Sequence, residues 1–242
     1  MDVANARMHD NQPVLVIGGT RSTGLQVVNV LRRNGRRVRV LARRPAVARR
    51  HLSSDVEIVA GDLTRSETLA RAIDGAGHII LTAGVRSGRF AREPVVKATE
   101  YEGVVSTLAE VQRNGLMGRV VYMTSIGTTR PSLFAAGLNA WKGNTLVWRR
   151  RAEEAIRSSD VDYTVVRVAF LLNRPAGTHE ICVTQRDRPL NFREAISRSD
   201  VAEALVAALV DPRASRATFE ISWCGKPRRR TWGELFANLH GD

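Results

Sequence analysis

Val14-Leu15-Val16-Ile17-Gly18-Gly19-Thr20-Arg21-Ser22-Thr23-Gly24-Leu25-Gln26-Val27-Val28-Asn29-Val30-Leu31 is the stretch that decides the fold. Four consecutive apolar residues read as a strand buried on both faces. The glycine turn follows, and the apolar spacing then changes to that of an amphipathic helix. This order aims a helix N-terminus, with its free N–H groups and positive dipole end, at whatever sits above the strand. Such a place binds phosphate. The turn has the form G-x-x-R-x-x-G: Gly18 can make the sharp exit from the strand and Gly24 lets the helix lie close to the sheet. Arg21 stands where a further glycine would let backbone approach a pyrophosphate.

About 20 residues on, at the spacing where a dinucleotide fold reads the adenine ribose, Arg37-Val38-Arg39-Val40-Leu41-Ala42 forms the second strand. It ends in Arg43-Arg44-Pro45 where an NAD enzyme would place Asp or Glu. A guanidinium can grip a 2′-phosphate through two parallel hydrogen bonds, and a carboxylate would repel it. Arg43, with Arg21 or Arg44, therefore argues for NADP over NAD. The competing reading is solvated surface arginines.

Strand and helix patterns alternate along the rest of the chain, which favours a parallel sheet covered on both faces. Strands are expected at Val56–Ala60, Gly77–Thr82, Arg119–Thr124, Tyr163–Val168 and Thr218–Ser222. Helices are expected from Pro94 to Arg113, from Thr145 to Ser158, and from a Ser199 cap to Val210. Thr64 with Glu67, and Thr231 with Glu234, fit capping boxes. The segment after Ser125, with Pro131 and three glycines, reads as a long loop. Residues 173–198 read as irregular with short strands. The expected architecture is α/β, a doubly wound parallel sheet of the Rossmann kind with a small C-terminal cap. Residues 1–12 are expected to be a loose tail. Residues 13–242 form one domain, whose part from about 170 completes a substrate pocket.

The chain has 242 residues, 43% of them hydrophobic, enough for one well-filled core. Cys182 and Cys224 show no metal or redox spacing and read as reduced thiols of a cytoplasmic protein. Neither a leader nor a run approaching a membrane span is visible. The net charge is +13, and three of the 37 basic residues are lysines (Lys97, Lys142, Lys226), the other 34 arginines. The arginines are dispersed, with short runs at Arg149-Arg150-Arg151 and Arg228-Arg229-Arg230, and no aromatic-interleaved motif accompanies them. Nucleic acid is therefore disfavoured as a partner despite the high pI. Five scattered histidines offer no metal site, with His78 packed in its strand. Asp160 and Asp162 read as solvating a helix end. Trp141 and Trp148 stand near the expected substrate mouth, as core, oligomer contact or aromatic wall. The expected partners are a small-molecule substrate and at most a second copy of the chain.

The segments VIGGTRSTG, VLARRP, GDLT, ILTAG, VVYMTS, LVWRRRAEEAIRSSDVDYTVVRVAFL and SRSDVAEALVAAL together resemble the atypical short-chain dehydrogenase/reductases, in the NAD(P)H-binding, NmrA-like branch (subgroup 5), over residues 13–223. The resemblance implies that Gly18, Thr20, Ser22, Thr23 and Gly24 hold the pyrophosphate, with Arg21 beside them as a further cofactor-binding residue. It implies Arg43 and Arg44 on the 2′-phosphate, Asp62 and Leu63 near adenine, and Thr82, Ala83 and Gly84 by its ribose. Thr124 belongs to the cofactor wall, and Ser125 matches the family's serine after strand five. Arg149 stands where relatives keep the lysine that holds the nicotinamide ribose. The backbone of Val168, Ala169 and Phe170 faces the nicotinamide. Read from its own turn, Asp62 could equally cap the following residues.

Two departures bear on chemistry. Arg149 replaces lysine, and the residue four before it is Thr145, so the Tyr-x-x-x-Lys pair that passes a proton during hydride transfer is missing. Arg149 can orient a ribose or polarise an oxygen but cannot shuttle a proton; as a bland helix cation it would pair with Glu153 at i+4. Hydride transfer without a strong acid suits an acceptor that takes hydride readily, such as a quinone or flavin, and otherwise a carbonyl. Ser125 and Arg149 are the candidate catalytic residues. The expected function is an NADP-dependent oxidoreductase, and the rival is a non-catalytic NADP-sensing module.

Overall fold

The computed structural model of the chain describes residues 12–85, 91–226 and 230–242. The expected tail to residue 11, part of the loop after Gly84, and Arg228-Arg229 lie outside the described residues. An eight-stranded sheet runs through the molecule. Its strands are β1 (Val14–Ile17), β2 (Val38–Ala42), β3 (Glu57–Ala60), β4 (His78–Leu81), β5 (Val120–Ser125), β6 (Tyr163–Val168), β8 (Glu180–Thr184) and β10 (Ala217–Gly225), ordered β3-β2-β1-β4-β5-β6-β10-β8. All neighbours are parallel except the edge strand β8, which pairs antiparallel with β10. Two short strands, β7 (Phe170–Leu172) and β9 (Ala195–Ser197), pair separately above the end of β6. Strand order reverses between β1 and β4, and the crevice beyond the strand ends at such a switch point is where this architecture takes ligands.

The period of two explains why β1 is apolar throughout. Val14 and Val16 enter one core with Val27, Val28 and Leu31 of helix α1 (Ser22–Arg33). Leu15 and Ile17 enter the other, with residues of α3 (Ala70–Ile73) and α5 (Gly103–Asn114). Helix α2 is the short Pro45–Arg49. Helix α8 (Arg198–Val210) packs on α1's side through Val201, Leu205 and Leu209, and α7 (Thr145–Arg157) on the other through Ala152 and Ile156. The terminal α9 (Trp232–Leu235) begins with the expected capping box of Thr231 and Glu234.

Several local expectations are corrected. Ser197, not Ser199, caps α8, accepting from the Asp200 N–H. Thr64 and Glu67 make no capping box: Arg65 precedes a single 3-10 turn (Ser66–Thr68), and Thr64 is tied to Asp62 instead. The helix expected over 94–113 is present and runs on without a break as α4 (Glu93–Lys97), one π turn (Ala98–Glu102) and α5, which stops at Gly115 in the left-handed conformation. The long loop after Ser125 contains a helix, α6 (Leu133–Trp141), capped by Ser132. Asp162 does not solvate a helix end: it pairs with the buried Arg119 at 2.9 Å and accepts from Ser215. Cys182 and Cys224 are joined in a disulfide, their Cα atoms 5.7 Å apart. The antiparallel pairing of β8 with β10 brings them together, correcting the reduced-thiol expectation. His78 is buried as expected, its Nδ1 accepting from the Arg119 N–H.

Candidate functional site

The turn after β1 is built by close approach. Gly18 sits at φ +93°, and a Cβ there would lie 2.8 Å from the Ala83 nitrogen; one at Gly24 would lie 2.2 Å from the Gly18 carbonyl oxygen. Ser22 also adopts a positive φ, +50°, unusual for a residue with a side chain. No side chain caps α1 and its first turn carries no acid, while Arg32 and Arg33 complement its far end. The first N–H groups of α1 are therefore left for an anion, with the dipole unopposed there. Arg43 and Arg44 are exposed at the end of β2 and make no side-chain hydrogen bond or ion pair among the described residues. Glycine geometry and an uncapped helix fit the phosphates of a dinucleotide, with two guanidiniums standing free at the end of β2.

Two expected contacts are otherwise engaged. Asp62 accepts from the Thr64 N–H and hydroxyl, the turn-capping alternative. Leu63 sends its side chain into the core, where a Cβ on Gly103 would touch it. Thr82 donates its hydroxyl to the Ile17 carbonyl at 3.2 Å and lies against Gly18 and Gly24. Beyond it, a Cβ on Gly84 would lie 2.9 Å from Arg149 Nη2. A continuous line of close contacts thus joins the glycine turn to Arg149.

Arg149 borders a cavity of about 310 Å³ over the ends of β5 and β6, whose wall includes Thr124, Ser125, Lys142, Phe170 and Leu190. Val168 and Ala169 line it too, so the structure brings the β6 residues, Ser125, Thr124 and Arg149 together. Thr124 Oγ1 is buried without a hydrogen-bond partner of good geometry, and Ser125 donates to the Ile126 carbonyl. Arg149 is not a surface cation paired with Glu153. Its Nε and Nη2 grip both oxygens of Glu100 at 3.0 and 3.1 Å. The Thr145 hydroxyl and the Val85 N–H complete the shell of that buried carboxylate. Glu153 is also buried but turns to Arg167, 2.7 Å away, and to the Thr128 hydroxyl. Burial alone would lower the Arg149 guanidinium, but Glu100 outweighs it and holds the group above its ordinary value. Arg149 is a fixed cation whose charge is already compensated.

Glu100 escaped the sequence reading. It sits within the apolar spacing Val96, Val104, Leu108, and an acid on such a face demands a partner. Lys142 carries no sequence signal of its own, because it follows a helix, α6, that lacks a clear helical pattern. Trp148 donates to Glu93 and packs on Tyr101, which leaves Trp141 as the exposed tryptophan near the mouth. Around it, α6 exposes Leu133 and Phe134, and Phe134 meets Phe192 edge-on at 4.9 Å. Among the described residues no cluster of His, Cys, Asp or Glu could hold a metal, and no helix is long and apolar enough to cross a membrane.

A family described as NAD(P)H-binding matches residues 18–212. The chain belongs to this NAD(P)H-binding family. It is 27% identical over 244 residues to sanguinarine reductase of Eschscholzia californica, covering 86% of this chain and 88% of that protein. Among solved structures, the oxidoreductase YlbE from Lactococcus lactis superposes with a TM-score of 0.77 at 14% identity, over 94% of this chain and 96% of that one. A short-chain dehydrogenase/reductase from Veillonella parvula in complex with NADP superposes with a TM-score of 0.68 at 16% identity, over 90% and 97%. The chain is thus an NAD(P)H-binding protein of the Rossmann fold, with a reductase among its relatives.

Proposed function

We propose that the protein is an NADPH-dependent reductase of small conjugated or carbonyl-bearing molecules, which it takes in the cavity over β5 and β6. The observation that carries this reading is the line of close contacts from the glycine turn through Thr82 and Gly84 to Arg149. It lets one extended dinucleotide keep its phosphates on α1 and still reach the cavity. The glycine turn and the first N–H groups of α1 hold the pyrophosphate, and Arg43 with Arg44 takes the 2′-phosphate. Thr124, Val168 and Ala169 form the wall beside the nicotinamide. When bound, the reduced nicotinamide supplies the hydride. Arg149, held by Glu100, orients the ribose; its charge is constant across any working pH. Ser125 can turn its hydroxyl from the Ile126 carbonyl toward an acceptor oxygen. The exposed rings of Trp141, Phe134 and Phe192 favour an acceptor with a flat apolar body, in keeping with the reductase named among the relatives.

The test is NADPH oxidation across a panel of quinones, flavins and aromatic carbonyls, alongside calorimetry with NADPH and NADH. Turnover with at least one acceptor and tighter NADPH binding are expected. A second reading, a non-catalytic NADPH-sensing module, draws on Thr145: the residue at the tyrosine position spends its hydroxyl on Glu100. Tight NADPH binding without turnover on the whole panel would select it.

A further inference from the structure

Among the described residues, four in the cavity wall carry ionisable groups: Glu100, Lys142, Arg149 and Arg198. Three are committed. Glu100 and Arg149 hold each other. Arg198 donates to the Leu171 carbonyl and to Asn173 Oδ1. A guanidinium in any case releases no proton at a working pH. Lys142 differs. Its backbone closes α6 on the Leu138 carbonyl, while its ammonium meets only the ring of Trp141, 5.5 Å from the centroid, among the described residues. Among the described residues it is therefore the one ionisable group of that wall with both a proton to give and no partner holding it.

We propose that Lys142 is the catalytic acid of this site, donating a hydrogen bond and then a proton to the oxygen of the acceptor as hydride reaches the neighbouring carbon. This rests on the reductase reading above. In the step the C=O π bond breaks, a C–H bond forms with the two electrons of the hydride, and an O–H bond forms with the Lys142 proton. The reduced nicotinamide is the reductant and the acceptor gains two electrons. Lys142, left as a neutral amine, regains a proton from water at the mouth of the cavity. From the end of α6, Lys142 supplies the acid that Thr145, in the first turn of α7, cannot.

The surroundings suit that role. Burial, and then the charge of Arg149 on α7, press the Lys142 ammonium below its ordinary value, with Glu100 on the π turn pulling the other way. Arg198 brings a second positive charge from α8. Glu93 packs its backbone against Gly143, but its carboxylate accepts from Trp148 Nε1 at 3.0 Å. An ammonium held below its ordinary value is a better acid.

Lys142→Arg and Lys142→Met separate charge from proton supply. With an acceptor that the wild type reduces, kcat is expected to fall on the alkaline side as the lysine loses its proton. Both variants should lose that limb and drop kcat at neutral pH by about 100-fold, with calorimetric NADPH affinity unchanged. A readout free of turnover comes from 13C-dimethylated lysines. The chain has only three, so the Lys142 resonance is assigned by its loss in Lys142→Arg. It should titrate below the ordinary lysine value. Lys142→Arg with the wild-type kcat and alkaline limb would overturn the proposal alone, as would a Lys142 resonance that titrates at or above that value. A wild type that binds NADPH and reduces nothing would overturn the reductase reading and this role with it.

Discussion

The two ends of the crevice use charge in opposite ways. At the glycine turn the backbone shapes the site, and the guanidiniums of Arg43 and Arg44 are left uncommitted at the surface. At the cavity, Arg149 is mostly covered and spent on the buried Glu100, whose own oxygens are saturated by Thr145 and Val85. A free surface cation can be recruited by an incoming phosphate at little cost. A compensated buried pair cannot be pulled apart by a substrate, because either partner left alone in a low dielectric is heavily penalised. The first arrangement binds, and the second holds a wall in shape.

The largest expected effect follows from breaking that pair. Glu100→Leu strands the Arg149 guanidinium and should cost about 3–5 kcal/mol of folding stability, read as a shifted denaturant midpoint. Adding Arg149→Met should recover most of it, since an apolar pair can replace a buried ion pair of similar volume. A double variant no more stable than the single would mean that Glu100 acts through Thr145 and Val85 rather than through Arg149.

The disulfide tests the same half of the molecule at its edge. Cys182 and Cys224 are exposed and close a loop of 42 residues in sequence separation between β8 and β10. Reduction, or Cys182→Ser with Cys224→Ser, should lower stability by about 2–4 kcal/mol and leave NADPH affinity intact, because α1 and β2 lie at the far side of the sheet. Equal melting temperatures with and without reductant would place the edge outside the cooperative unit.

The same contrast explains what could be read in the sequence. The apolar runs of β1, β4, β5 and β6 are buried on both faces, so their composition alone announces them, and α1 and α7 carry plain helical spacing. The glycine turn is legible locally too: its motif spans seven residues, although Thr82 and Ala83 pack against it from the end of β4. The cavity end depends on partners far apart. Arg149 finds Glu100 across 49 positions, and the π turn that carries Glu100 has no local signature. Helix α6 was read as loop because Leu133, Phe134 and Trp141 face solvent instead of a core, which removes the amphipathic stripe, and Gly137 sits in its middle. The cysteine pairing needed the register of β8 on β10, and β8 fell in a stretch with no clear alternation.

At the turn itself, Gly24→Ala places a methyl group 2.2 Å from the Gly18 carbonyl oxygen and 2.6 Å from Thr82 Oγ1. Both neighbours belong to the cradle, so α1 must shift outward, at about 2–3 kcal/mol. NADPH and NADH should weaken together in calorimetry, since both need the pyrophosphate seat. Unchanged affinity for both would mean that the close packing of α1 on β1 serves folding only.

Arg43→Asp asks which coenzyme the uncommitted cations serve, and its effect should be the smallest and most selective. The guanidinium is exposed, so solvent screens its attraction for a phosphate, and its loss is worth about 1.5 kcal/mol, close to tenfold in NADPH affinity. Aspartate at the end of β2 can in turn accept from the ribose hydroxyls of NADH, which should hold its affinity or gain slightly. The ratio of the two dissociation constants is therefore the quantity to measure, because any disturbance of the fold cancels from it. Its salt dependence sharpens the result: the wild-type preference for NADPH should shrink as ionic strength rises. A ratio that does not move would leave Arg43 and Arg44 as solvated cations of an arginine-rich chain, and coenzyme choice would then have to come from Arg21.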